Sequence, residues 1–391
     1  MPWLEINPMD QKLYFICDYK RGIDNFSNLC ERYGISRKTG YKLVNNYHEN
    51  GIEGLEEKSR APHNHPHKVP YKIRQSILEL RSQRMITLGA KKIQARLKTM
   101  YPDITPPAIS TINNILKQEG LVKKSRKSNR VPKYNKALKK AQQPNDLWTV
   151  DFKGQFKLKN GRWCYPLTIM DEYSRFLIDC RCQSSVKGAL TIKSFQKVFK
   201  EYGLPKRIRS DNGVPFATKS ISGFSSLSVW WIRLGIIPER IMPGKPQQNG
   251  KHERMHRTLK KFATRPPCQS FKSQQQRFDL FREEFNYQRP HESLGQKLPS
   301  EVYQKSPLIY PDKLPKIEYP SYFDVRRVRN TGVIYWGNGQ VYITHNLKDQ
   351  YVGMDEVDDG VFDIYYSIHR IGQFDIRNNK PNCVNYWTVK V

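Results

Sequence analysis

Acidic residues are scarce in this chain: 36 Asp and Glu stand against 67 Lys and Arg in 391 residues, a net charge of +31. That imbalance excludes an ordinary near-neutral metabolic enzyme as the starting expectation and calls for a polyanionic partner. Long apolar runs are missing too. No window approaches the ~18 consecutive apolar residues of a membrane span, and the opening Met-Pro-Trp-Leu-Glu-Ile-Asn lacks the basic-then-apolar pattern of a secretory leader. We therefore expect a cytoplasmic protein with no membrane partner; the positive charge is spread along the chain rather than gathered on one amphipathic helix, which favours nucleic acid over lipid. Regular cysteine spacing is also absent. Seven cysteines, an odd number at irregular intervals, exclude a disulfide framework and fit a reducing compartment. Cys180 and Cys182 share one face of a strand by its period of two and read as buried thiols rather than metal ligands.

What is present suffices for folded cores: 38% hydrophobic and 12% aromatic residues, in a length that suggests two to four domains at roughly 100–200 residues each. Residues 1–60 carry two helical patterns, Phe26, Leu29, Cys30 and Tyr33, then Tyr41, Leu43, Val44 and Tyr47, separated by Gly34 with Ser36 placed to cap the second. This reads as a helix-turn-helix with Arg37, Lys38 and Lys42 aimed at a duplex, or as an ordinary helical hairpin. A proline-punctuated linker at 62–70 holds His63, His65 and His67, a poor frame for a metal cage. Over 71–120, Ile73, Ile77 and Leu80, then Ile93, Leu97, Ile109, Ile112 and Ile115, describe a second helix-turn-helix.

Residues 121–145 are a basic linker without one acid, including Lys123, Lys124, Arg126, Lys127 and Arg130: either a solvated tether or an arm that tracks phosphates. From Asp146 the pattern turns to strands at 147–152, 163–170 and 176–182, a helix through Phe195 and Phe199, a strand at 207–210, a helix near 226–234, a strand at 236–241 and a longer helix from about Gln247. That is an α/β domain over 146–310 with an antiparallel start. Short strands with Gly-containing turns fill 319–391, as in a small all-β, barrel-like domain, serving either as an interaction or stabilising unit or as a DNA contact.

Three acids stand out by their surroundings: Asp151 in Trp148-x-x-Asp151, Asp211 in Ser210-Asp-Asn-Gly213, and Glu253 in Pro243-Gly-Lys-Pro-Gln-Gln-Asn-Gly-Lys-His-Glu-Arg254. Phosphodiester chemistry explains the residue type, because paired divalent ions about 3.5–4 Å apart activate one oxygen and stabilise another, and clustered carboxylates hold them. Helical steps put Asn249, Glu253, His256 and Lys260 on one face, expected to meet DNA, and Met255, Leu259 and Phe262 on another, expected to pack. Asp171 reads as a structural acid, paired with Arg175.

Together with Thr168-Ile-Met-Asp-Glu-Tyr-Ser-Arg175 and Asn286-Tyr-Gln-Arg-Pro-His291, these motifs closely resemble the DDE-type insertion-sequence transposases of the retroviral-integrase superfamily, over about residues 146–305. Departures are a long second interval between the acids, suggesting an insertion near 220–230, Phe285 where relatives often carry Tyr, and Lys251-His252 before the Glu. The resemblance implies a multidomain α/β protein: a ribonuclease H-like catalytic core with N-terminal helix-turn-helix domains and a small C-terminal β-barrel-like domain. It implies a metal-dependent DNA transposase in which Asp151, Asp211 and Glu253 are catalytic residues and metal ligands for two Mg²⁺ ions, with Mn²⁺ as substitute. The partners implied are double-stranded DNA, at element ends and target, and further copies of the chain in a dimer or higher multimer, associated with the nucleoid. Two rivals are a catalytically silent DNA-binding regulator derived from a transposase, which the intact acid triad opposes, and a nuclease for RNA–DNA hybrids, which has no use for two helix-turn-helix units.

Overall fold

The computed structural model describes residues 7–57, 68–82, 85–122, 140–218, 223–337, 339–377 and 385–389. The chain divides into two units, residues 1–68 and 69–391. The His63, His65 and His67 motif, the basic residues Lys123, Lys124, Arg126, Lys127 and Arg130, and part of the suggested insertion lie outside the described residues.

In the first unit, α1 (Pro8–Arg21), α2 (Phe26–Arg32) and α3 (Arg37–Asn50) enclose Phe15, Ile16, Leu29, Cys30 and Val44. The turn between α2 and α3 is set locally. Gly34 takes φ +64, and the Ser36 side chain accepts the Thr39 amide as the N-cap of α3. Gly40 lets α3 press against α2, since a Cβ there would meet Cys30 Sγ at 2.7 Å. Arg37, Lys38 and Lys42 stay exposed on the N-terminal half of α3.

The second unit begins with α4 (Tyr71–Ser82), α5 (Ala90–Met100) and α6 (Ile109–Gln118), packed through Ile73, Ile77, Leu80, Ile93, Leu97, Ile112 and Ile115 as their spacing predicts; Ile109 is 40% exposed instead, at the first position of α6. These three helices are fastened to the domain C-terminal to them. The Glu284 carboxylate accepts the amides of Met85 and Ile86 at 3.1 and 2.9 Å, and Ile86 is fully buried among that domain's side chains.

The C-terminal neighbour comprises β1 (Trp148–Phe152), β2 (Phe156–Lys157), β3 (Trp163–Asp171), β4 (Leu177–Gln183), α7 (Gly188–Tyr202), β5 (Arg207–Ser210), α8 (Ser226–Arg233), β6 (Ile237–Arg240), α9 (Gly250–Ala263), α10 (Phe271–Tyr287) and α11 (Pro299–Val302). The path β2-β3-β1-β5-β6 has β4 also on β3; β4, β3 and β1 are antiparallel, while β1, β5 and β6 run parallel. Alternation along β1 builds two layers. Trp148 and Val150 face a core with Phe195, Phe199, Leu227 and Trp231 of α7 and α8. The opposite face, through Met170 of β3 and Cys180 of β4, packs against Met255 and Leu259 of α9 and Phe278, Phe281 and Phe285 of α10. Cys164, Cys180 and Cys182 lie on that side as free thiols, Cys180 buried as expected but Cys182 only half-buried.

The C-terminal segment holds β7 (Asp324–Arg327), β8 (Val333–Trp336), β9 (Gly339–Tyr342), β10 (Tyr351–Asp358), β11 (Val361–Tyr366), β12 (His369–Asp375) and β13 (Asn385–Thr388). The barrel-like expectation needs correcting. The strands form a four-stranded sheet, β12-β11-β10-β7, and a three-stranded one, β13-β9-β8, around a shared core, with no closed ring of paired strands among the described residues. Tyr335 and Tyr342 are exposed, whereas Trp336 packs tilted against Phe362 and edge-on against Phe374.

Candidate active site

The parallel register Trp148↔Ile208 and Thr149↔Arg209, carried two residues further, brings Asp151 level with Asp211 just past the end of β5. Sixty residues of chain thus return to a neighbouring strand. β5 is anchored by Arg207 and Arg209, each 3.1 Å from a Glu239 oxygen on β6. Asp211 opens a tight turn: its Oδ1 accepts the Gly213 amide at 3.0 Å, and the Asn212 side chain donates to the Ile241 carbonyl at 2.8 Å. A Cβ at position 213 would come 3.2 Å from an Asp211 carboxylate oxygen, close enough that the carboxylate would have to shift by a few tenths of an ångström.

The third acid arrives on α9. A short 3₁₀ turn, Pro246–Asn249, leads into the helix, and Glu253 is exposed in its first turn. Lys251 pairs with the buried carboxylate of Glu172, which Arg175 also faces at 4.0 Å, so the start of α9 is tied to the end of β3. Gly250 is the first helical residue and a Cβ there would meet open space, so no contact within the chain requires glycine.

Burial, then the negative charge of Asp211 and more weakly that of Glu253, push the Asp151 carboxyl up to about 7, against the Phe152 amide and Lys153. The three acids are therefore electrostatic neighbours. They do not close into a cage: among the described residues no three His, Cys, Asp or Glu side chains stand close enough to grip one metal ion.

Behind Asp151 lies a buried polar group that the sequence did not disclose. Thr168, directly opposite Asp151 in the β1–β3 register, touches the ring nitrogens of His252 and His256, and His252 also reaches Thr149. Burial lowers the His252 imidazole to about 3; burial, His252 and Lys153 together lower that of His256 well below its usual range. Strand alternation puts Thr149 on the face of Asp151, but only the β1–β3 register places Thr168 beside it, and a histidine inside Lys-His-Glu-Arg reads as a solvated residue.

The expected division of α9 into a packing face and a DNA face therefore needs correction. Met255 and Leu259 pack, and Glu253 and Lys260 are exposed, but Asn249 and His256 are 5% and 6% exposed, His256 lying against Thr168 of β3 and Asp151 of β1. Asp171 is fully buried, accepting from the amides of Asn145 and Ser174 and the Ser174 hydroxyl; Arg175 turns instead to Glu172.

The integrase core domain family matches residues 141–246, a second integrase core domain family matches 234–299, and a homeodomain-like family matches 39–116. An uncharacterized 31.7 kDa protein of insertion element IS407 from Burkholderia multivorans is 26% identical over 169 residues, covering 41% of this chain and 56% of the relative. A 39.2 kDa protein of insertion element IS476 from Xanthomonas euvesicatoria is 27% identical over 219 residues, 54% of this chain and 59% of the relative. The chain thus spans a little over half the length of these curated relatives. Among solved structures, the HTLV-2 integrase catalytic core domain in complex with magnesium aligns at 16% identity and a TM-score of 0.33, covering 42% of this chain and all of that one.

Proposed function

We propose that the protein is a DNA transposase, a reading supported by the match of residues 141–246 and 234–299 to integrase core domain families and by the similarity to proteins of insertion elements IS407 and IS476. It binds the ends of a mobile element, cleaves to expose 3′-hydroxyls and joins them to target DNA. The carrying observation is the convergence of Asp151 and Asp211 on adjacent parallel strands, with Glu253 near enough to raise the Asp151 carboxyl.

Hard carboxylate oxygens on three side chains suit Mg²⁺, with Mn²⁺ as substitute. A carboxylate raised by its acidic neighbours also favours a cation, whose charge reverses that repulsion. Bound divalent ions would supply an activated nucleophilic oxygen and a stabilised leaving oxygen. In this reading Asp151, Asp211 and Glu253 would together hold the ions. The Gly213 amide orients the Asp211 carboxylate, and the Lys251–Glu172 pair fixes the helix turn that presents Glu253.

Arg37, Lys38 and Lys42 on α3, the basic segment from Lys123 to Arg130, and exposed Lys260 on α9 are the proposed DNA contacts. Two element ends handled together call for a homodimer or higher multimer on DNA. Cutting of a labelled element end in Mg²⁺ tests the reading: wild type cuts, whereas Asp151→Asn and Glu253→Gln bind the DNA and leave it intact. Equal cutting by all three removes the site assignment, and failure to join a pre-cleaved 3′ end to plasmid reduces the protein to a nuclease.

A further inference from the structure

Two histidines that the proposed chemistry does not use lie between α9 and the sheet, directly behind Asp151. They belong to one unbroken line of polar atoms. Thr149 Oγ1 is 2.7 Å from His252 Nδ1, His252 Nε2 is 2.7 Å from Thr168 Oγ1, and Thr168 Oγ1 is 2.6 Å from His256 Nε2. Across the second ring, His256 Nδ1 stands 3.6 Å from Asp151 Oδ2. Two backbone carbonyls border the line, Met170 at 3.2 Å from Thr149 Oγ1 and Asp151 at 3.0 Å from Thr168 Oγ1.

The supply of protons restricts how this line is wired. Each hydroxyl has one, and each ring, shut away from water, is counted as a neutral imidazole with one N–H. Along Thr149, His252, Thr168 and His256, three arrangements avoid setting lone pair against lone pair or proton against proton within the line. In one, Thr149 donates to Met170, His252 Nδ1–H to Thr149, Thr168 to His252 and His256 Nε2–H to Thr168. That leaves a bare Nδ1 toward Asp151. In the second, every proton points the opposite way: Thr149 donates to His252 Nδ1, His252 Nε2–H to Thr168, and Thr168 to His256 Nε2. The remaining proton is then on His256 Nδ1, facing Asp151. In the third, Thr149 again donates to His252 Nδ1, but Thr168 donates to the Asp151 carbonyl and accepts Nε2–H from both rings, which leaves a bare His256 Nδ1 toward Asp151.

An ionised carboxylate repels a lone pair and attracts an N–H, so the second arrangement fits an Asp151 that serves as a ligand. We infer that His256 is a positioning residue for Asp151: its Nδ1–H, aligned through Thr168, His252 and Thr149, faces Oδ2 and fixes how the carboxylate is presented to a cation. The inference rests on the catalytic reading above. Residues that hold a ligating side chain in this way change metal affinity about 10- to 100-fold when lost.

Two measurements on the full chain test it. In ¹⁵N-histidine-labelled protein loaded with Mg²⁺, ring couplings should report the Nδ1–H tautomer for His256 and Nε2–H for His252; an Nε2–H tautomer for His256, whichever tautomer His252 adopts, overturns the inference. Mn²⁺ titration then separates the two ends of the ring, because the amide of Asn falls near the Nδ1 position and that of Gln near Nε2. His256→Gln, which keeps the Thr168 contact, should weaken Mn²⁺ binding about 10- to 100-fold, and His256→Asn should recover most of it. Retained affinity in the Gln variant with loss in the Asn variant would show that the ring serves only Thr168, and the inference falls. Wild type that neither binds Mn²⁺ nor cuts element ends overturns the catalytic reading itself; wild type that does both, with every variant unchanged, overturns only the role of His256.

Discussion

Replacing Asp151 by Asn should stabilise the metal-free protein in a pH-dependent way. The Asp151 carboxyl lies at about 7 in the folded chain against an ordinary 3.8. Between those values the folded state keeps a proton that the unfolded state has lost, so stability falls as pH rises through this window and stays reduced above it. From about pH 5 to about pH 8 the two titrations diverge by roughly two further units, on the order of 2–3 kcal/mol. The side chain is 21% exposed, so solvent screening reduces the expected effect to about 1 kcal/mol. Asn carries no charge and escapes the decline. Thermal unfolding in EDTA at the two pH values should therefore show the Asn variant gaining several degrees on wild type only at the higher pH, since about 1 kcal/mol shifts a domain's Tm by roughly 2–4 °C or more. Mg²⁺ at the higher pH should raise the wild-type Tm and leave the variant unmoved. Parallel pH profiles for the two proteins would refute the claim that burial and the neighbouring acids act on Asp151.

Three other perturbations test the same geometry. Gly213→Ala sets a methyl within 3.2 Å of the Asp211 carboxylate; displacement by even a fraction of an ångström should cost cleavage tenfold or more with little change in Tm, since misplacement of about 1 Å costs on the order of 10²-fold. Trp148→Ala removes a fully buried indole whose Nε1 donates to Asn145 Oδ1 at 3.0 Å, and should destabilise the core domain by about 3–5 kcal/mol in urea unfolding. Lys260→Ala should weaken binding to all DNA sequences alike and reduce the slope of log affinity against log salt by about 1; a change confined to one sequence would contradict a phosphate contact.

Strand and helix order in residues 147–241 was readable because each face announces itself: Trp148 and Val150 alternate with Thr149 and Asp151, and Phe195, Val198 and Phe199 recur at helical spacing. The ends of the chain's elements were less legible. In α10, Phe278, Phe281 and Phe285 are separated by Asp279, Leu280, Arg282, Glu283 and Glu284, a pattern whose meaning depends on a sheet face supplied from elsewhere. β13 finds its partner only through non-local pairing, running parallel to β9. At the site, the order Asp151, Asp211, Glu253 was legible from motif surroundings, and Lys260 faces outward as helical spacing suggests. His256 does not, because one helical wheel cannot reveal that two strands close over it. Likewise, Asp171 was legible as structural, but the amides and hydroxyl that hold it became visible only once the turn after β3 was formed.

The Glu284 carboxylate, gripping the Met85 and Ile86 amides, has a metrical consequence. α10, which carries Glu284, packs on the same sheet face as α9, so the helices α4 to α6 are clamped to the scaffold that presents Glu253. If those helices read bases near an element end, the span from the bases read to the bond broken is a built-in gauge, set by protein rather than by tether length. Loosening the clamp with Glu284→Gln should then blur the cut into a spread of neighbouring positions while the reaction itself survives.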